Sequence, residues 1–147
     1  MPGIYRRFAI AGAVTATTAT TVLTPGVASA TAPSGVSGTI ISKSTFLGTD
    51  YIRRQITIEP GGSTGWHWHD GTLYAYVEKG TLTHNDADCT TTEVYSDNTS
   101  FTEPSGADNV HIGRNLGTTP VVLDVLYVDP AGSPLSEDAP NPGCSFQ

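Results

Sequence analysis

His67, Trp68 and His69 form an H-x-H pair, and His111 follows downstream in the strand-like stretch Asn109-Val110-His111-Ile112. A single residue separates the first two imidazoles, so on a β-strand both point to the same face. That face needs a third donor from elsewhere in the chain, and His111 is the candidate. Neutral imidazoles suit transition metals, so the chemistry these residues could do begins with one bound divalent ion: Fe, Mn, Zn, Ni or Cu.

Such a set must be held by strands, and the surrounding sequence supplies them. Ile52, Ile56 and Ile58 alternate with Arg53, Gln55 and Thr57, which predicts a strand ending at Glu59-Pro60-Gly61-Gly62. Trp66 to His69, Leu73 to Glu78, Thr81 to His84, Val110 to Ile112 and Val121 to Val128 read as further strands. Glu93 to Tyr95 and Ser100 to Thr102 carry weaker patterns. Gly, Pro, Asn and Asp punctuate the intervals, and no window holds a 3.6-residue period. Many short strands between frequent turn signals predict an all-β sandwich or barrel. Residues 31 to 39 are rich in Ser, Gly and Thr and read as a flexible leader to a barrel over residues 40 to 131. Residues 132 to 147 read as a C-terminal tail.

In this setting the chain resembles the cupin family, whose barrels carry the two motifs G-x5-H-x-H-x3,4-E-x6-G and, roughly, P-x-G-x2-H-x3-N. Gly61, His67, His69 and Gly80 match the first; Pro104, Gly106, His111 and Asn115 match the second. The resemblance spans about residues 40 to 131 and implies a small jelly-roll barrel, or double-stranded β-helix. It also implies a metal held by His67, His69 and His111. Two departures stand out: Leu73 occupies the glutamate position of the first motif, and four residues rather than two separate Gly106 from His111.

Counting back from Gly80 places Leu73 inward with Ala75 and Val77, and Tyr74 and Tyr76 outward. Leu73 then gives no ligand, and three neutral donors leave the centre more positive than a three-His, one-Glu set. Such a site suits anionic or bidentate substrates and leaves about half an octahedron open. Leu73→Glu is expected to tighten metal binding by restoring an anionic donor. His84 shares the parity of Leu82, but beside Asn85-Asp86 it reads better as a solvated turn residue. Trp66 and Trp68 face away from the ligands and are expected to pack between sheets or onto a neighbouring subunit, which is compatible with a homodimer. Asp70, Glu103 and Asp108 lie near the motifs, and one of them could act as a general base; sequence proximity in a barrel does not choose among them.

The ends speak to location. Arg6-Arg7, the mild apolar run from Phe8 to Leu23 and Ala28-Ser29-Ala30 have the order of a cleavable signal peptide over residues 1 to 30, which predicts a secreted, extracellular protein. The arginine pair leaves the twin-arginine route open, although Phe8 follows it without a spacer. Removing residues 1 to 30 leaves five basic and fourteen acidic residues, a formal charge of −9. That balance argues against nucleic acid and anionic membranes and leaves a small molecule as the expected partner. Cys89 and Cys144, the only two cysteines, are expected to pair in an oxidising compartment. Two functions remain: a small-molecule metalloenzyme of oxygenase-like or isomerase-like type, and a non-catalytic barrel that binds a small ligand or a metal.

Overall fold

A computed structural model describes residues 29–147, and these contain ten β-strands and no helix. In chain order they are β1 (Ser34–Phe46), β2 (Thr49–Ser63), β3 (His67–Trp68), β4 (Thr72–Lys79), β5 (Thr81–Asp86), β6 (Thr92–Ser96), β7 (Ser100–Glu103), β8 (His111–Arg114), β9 (Val121–Pro130) and β10 (Glu137–Asp138). One sheet runs β1-β2-β9-β4-β7 and the other β10-β3-β8-β5-β6, every pairing antiparallel. They join where the far end of β2 pairs with β8 through Ser63 and Arg114. The result is an all-β, double-sheet barrel.

The inward stripe is the one that alternation predicts. Ile52, Ile56 and Ile58 of β2, Leu73, Ala75 and Val77 of β4, Phe101 of β7 and Val121, Leu123, Val125 and Tyr127 of β9 are buried in one cluster. Burying side chains of this size contributes roughly 1.5–3 kcal/mol each, so this stripe carries most of the barrel's stability. Asn115 fastens the joint between the sheets. Its amide donates to the carbonyls of Ile58 and Thr119, and its oxygen accepts from Gly117 N–H.

Three expectations about extent change. Residues 34 to 39 are not a flexible leader; they are the first half of β1, paired with β2 from Ser63 to Gln55. Strand β1 is exposed along nearly its whole length, so its sequence had no apolar alternation to reveal it. Its order comes from backbone hydrogen bonds to β2. The barrel therefore starts at Ser34 rather than residue 40, and the tail adds β10 against β3. The signal-peptide reading falls on residues outside those described, apart from Ser29 and Ala30.

The tail also covers a second, smaller core. Trp66, Ile112 and Ala139 are buried there with Trp68, Val110, Cys144 and Phe146 against them, and Trp66 stacks on Phe146. Cys89 and Cys144 form a disulfide across 55 residues of sequence, tying the tail to the β5–β6 turn. A crosslink of that span contributes about 4 kcal/mol in the chain-entropy account. Converting both cysteines to serine is expected to lower unfolding free energy by about that much in urea titrations. Intact-mass analysis should find free thiols in the wild type only after reduction; two free thiols in the unreduced protein would contradict the bridge.

Candidate metal centre

His67 lies on β3, and His69 lies just beyond it, so the two-residue strand does not itself fix both rings. Backbone carbonyls do. Nδ1 of His67 is 2.9 Å from the Gly65 carbonyl, Nδ1 of His69 is 2.8 Å from that of Leu135, and Nδ1 of His111 is 2.8 Å from that of Asn109. A carbonyl can only accept, so each Nδ1 carries the proton and each Nε2 keeps its lone pair. Gly65 reaches its position at φ +71, where an added Cβ would fall 2.3 Å from the Thr31 carbonyl oxygen. Register then brings the histidines together, because His67 pairs directly with His111.

A fourth donor comes from β7. Leu73 does point inward as parity predicts, but its cross-strand partner is Glu103. Side chains directly opposite on adjacent strands share a face, so Glu103 delivers its carboxylate into the space that Leu73 borders. Its Oε2 lies 3.1 Å from His69 Nε2 and 3.4 Å from His111 Nε2. One donor atom from each of His67, His69, Glu103 and His111 lies within 4.8 Å of all the others. Nε2 of His69 and of His111 is buried without a hydrogen-bond partner. Buried polar atoms are normally satisfied, and two adjacent orphan lone pairs beside a carboxylate fit a cation.

Electrostatics follow from the crowding. Burial, reinforced by the neighbouring His111 and His69 rings, pushes His67 down to about 3. Burial pushes the Glu103 carboxyl up, but in metal-free protein His111, His69 and His84, once protonated, together outweigh it and hold the group well below the ordinary carboxylate range. The sign for stability is the same for both. An unfolded chain protonates His67 near its ordinary 6.5, whereas the folded one resists until about 3. The His67 contribution is thus complete above about pH 6.5 and lost as pH falls from there toward 3. Metal-free protein is expected to lose urea midpoint progressively over that window, and His67→Gln should flatten the loss.

A protein-family model described as a cupin domain matches residues 54–128, just over half of the chain. The chain belongs to the cupin family. Among curated proteins none matches it. Solved structures do. The polyketide cyclase RemF from Streptomyces resistomycificus is 15% identical with a TM-score of 0.59, over 77% of this chain and 79% of that one. A cupin domain from Bordetella pertussis Tohama I is 22% identical with a TM-score of 0.55, over 65% and 95% of the two chains. KdgF from Halomonas sp. is 17% identical with a TM-score of 0.52, over 63% and 78%. At these identities the likeness establishes the fold alone.

Within this cupin, the departure at Leu73 takes a different meaning. The inward carboxylate is present one strand across, at Glu103. The expectation that Leu73→Glu tightens binding is therefore revised, since the new carboxylate would face an existing one. His84 also differs from expectation: it is buried, not a solvated turn residue, and its Nε2 lies 3.5 Å from Glu103 Oε1. Its ring stacks on His111 at a centroid distance of 4.8 Å. Asp108 lines a cleft of about 350 Å³ next to Glu103 and His111, together with Asp86, Asp88 and Glu93. Asp70 is outside the cluster. One signal in the sequence could have found Glu103. Phe101 is the apolar residue of a short strand, so parity turns Glu103, two residues on, to the same inward face.

Proposed function

We propose that this cupin is exported and holds one divalent transition metal through His67, His69, Glu103 and His111, acting on a small molecule as a metalloenzyme of oxygenase-like or isomerase-like type. The observation that carries the reading is the convergence of three Nδ1-protonated imidazoles and one carboxylate on a common point, with two buried Nε2 atoms unpartnered. When bound, a metal at these donors supplies a Lewis acid that orients and polarises a substrate oxygen. The chain's own residues do the rest. Backbone carbonyls fix the ring tautomers, Glu103 lowers the net charge of the centre, and Leu73, Ala75, Phe101, Leu123 and Val125 keep the adjoining space apolar. Export is supported by the leader-like residues 1 to 30 and by the disulfide, which suits an oxidising compartment.

The missing glutamate at Leu73 favours the alternative of a non-catalytic barrel; Glu103, which offers a carboxylate at the same cluster, weakens that argument. Metal content decides the first part of the reading: purified protein refolded with Zn, Mn, Fe, Ni or Cu is expected to hold one ion per chain by elemental analysis. His67→Ala, His69→Ala and His111→Ala should each sharply reduce occupancy while retaining the β-rich circular dichroism spectrum. Wild type that stays metal-free with all five ions, or His111→Ala that binds as well as wild type, would overturn the site.

A further inference from the structure

Arg54 is the odd residue on the inward stripe of β2. Ile52, Ile56 and Ile58 share its parity and are buried in the barrel core, yet a half-buried guanidinium stands between them. Other half-buried or paired cations are accounted for. Arg53 pairs with Asp124, Lys43 lies 2.9 Å from Asp50, and Arg114 donates to Asn85 while lying over the Phe146 ring. Among the described residues no carboxylate oxygen comes within ion-pair distance of Arg54. The fold nevertheless makes room for it. A Cβ on Gly38 of β1 would fall 2.4 Å from both Nε and Nη2 of Arg54, so the guanidinium lies against bare β1 backbone.

The space in front of that guanidinium leads to the candidate metal centre. A cavity of about 170 Å³ is lined by Arg54, Tyr127, His67, His69, Thr64 and Ser136, with apolar wall from Val36 and Ile56. Tyr127 packs edge-on to His69, with ring centroids 6.0 Å apart. Its phenol O–H is a donor that can serve an anion beside Arg54. The cleft at Glu103 and His111 has the other sign, being lined by Asp86, Asp88, Glu93 and Asp108. An anion is repelled there and attracted at Arg54.

We propose that the Arg54 cavity is a carboxylate-binding subsite, in which the Arg54 guanidinium and the Tyr127 hydroxyl hold the carboxylate of a small organic acid whose remaining oxygen-bearing end lies toward His67 and His69. The planar guanidinium fork matches a carboxylate edge. The cavity is smaller than the roughly 300–1,000 Å³ of sites for drug-sized ligands, which points to an acid of a few carbons. A single cation with apolar neighbours favours a monoanionic carboxylate over a phosphate dianion. This assignment rests on the metal reading only for the ligand's second end.

The test uses lactate, pyruvate and malonate, with lactamide as the neutral control. Binding is followed by calorimetry and protein NMR on zinc-loaded and on chelator-stripped full-length protein. Wild type is expected to bind at least one acid about tenfold or more tightly than the amide, a preference worth about 1.4 kcal/mol. Arg54→Gln should abolish that preference and Arg54→Lys retain part of it, with metal content unchanged in both. Tyr127→Phe should weaken the acid a few-fold and leave the amide alone. If acids and amide bind alike, if no acid binds, or if Arg54→Gln binds acid as wild type does, the subsite is wrong. Arg54-dependent acid binding by a protein that takes up none of Zn, Mn, Fe, Ni or Cu would support the subsite and overturn the metal reading. Zinc uptake with acid binding indifferent to Arg54 would do the reverse.

Discussion

Glu103→Gln is expected to weaken metal binding by about 100-fold or more, beyond the 10–100-fold that loss of an outer-shell partner costs. Glu103 is the one anionic group among the four candidate donors, and its side chain is 13% exposed, so water cannot readily take its place. The companion variant gives the stronger test. Leu73 and Glu103 are directly opposite on β4 and β7. Leu73→Glu alone buries a second carboxylate facing the first and should destabilise metal-free protein by several kcal/mol. In the double variant Leu73→Glu, Glu103→Leu, the carboxylate and the apolar group merely trade strands on one face. Metal affinity should then return to within about tenfold of wild type, because donor count and charge are restored. Competition titrations against a chromophoric chelator read these affinities. Glu103→Gln that binds like wild type would remove Glu103 from the ligand set, and a double variant no better than Glu103→Gln would show that the site does not tolerate the exchange.

Trp66→Ala is expected to cost about 3–5 kcal/mol in stability, the usual range for emptying a fully buried aromatic site. Trp66 is the centre of the second core and stacks on Phe146 of the tail. Its backbone is held from both sides: its N–H donates to Thr31 Oγ1 at 2.6 Å, and its carbonyl accepts from Ala139 N–H at 2.8 Å. It also precedes His67, so a loosened Trp66 should cost some metal affinity, by about tenfold, as other supports of a ligand do. Trp68→Ala is the control. That side chain is only half-buried at the same core and should cost markedly less. Urea denaturation of the metal-free proteins checks the ordering; a Trp66→Ala cost below about 1 kcal/mol would mean that the tail core collapses around the gap.

The parts of this protein that its sequence determined are those governed by local periodicity and by groups that must find partners. Alternation at Ile52, Ile56 and Ile58, and at Leu73, Ala75 and Val77, fixed both the strands and their inward faces, since a strand has a period of two whatever it packs against. Two cysteines could pair in only one way, and they do. His67, His69 and His111 were legible as donors because their residue type and motif spacing survive without any knowledge of register. Three things waited for tertiary structure. Strand β1 has no apolar stripe and is defined by hydrogen bonds to β2, which only pairing reveals. Glu103 joins the candidate donors because β7 runs beside β4 in one particular register, placing a carboxylate opposite Leu73 across thirty residues of sequence. His84 looked like a turn residue beside Asn85 and Asp86, yet the pairing of β5 with β8 sets it opposite Gly113, on the face that also carries His111, so its imidazole lies against Glu103 and His111. Strand pairing is a long-range choice made by the whole barrel, and a one-residue change of register would have turned each of these side chains to the other face.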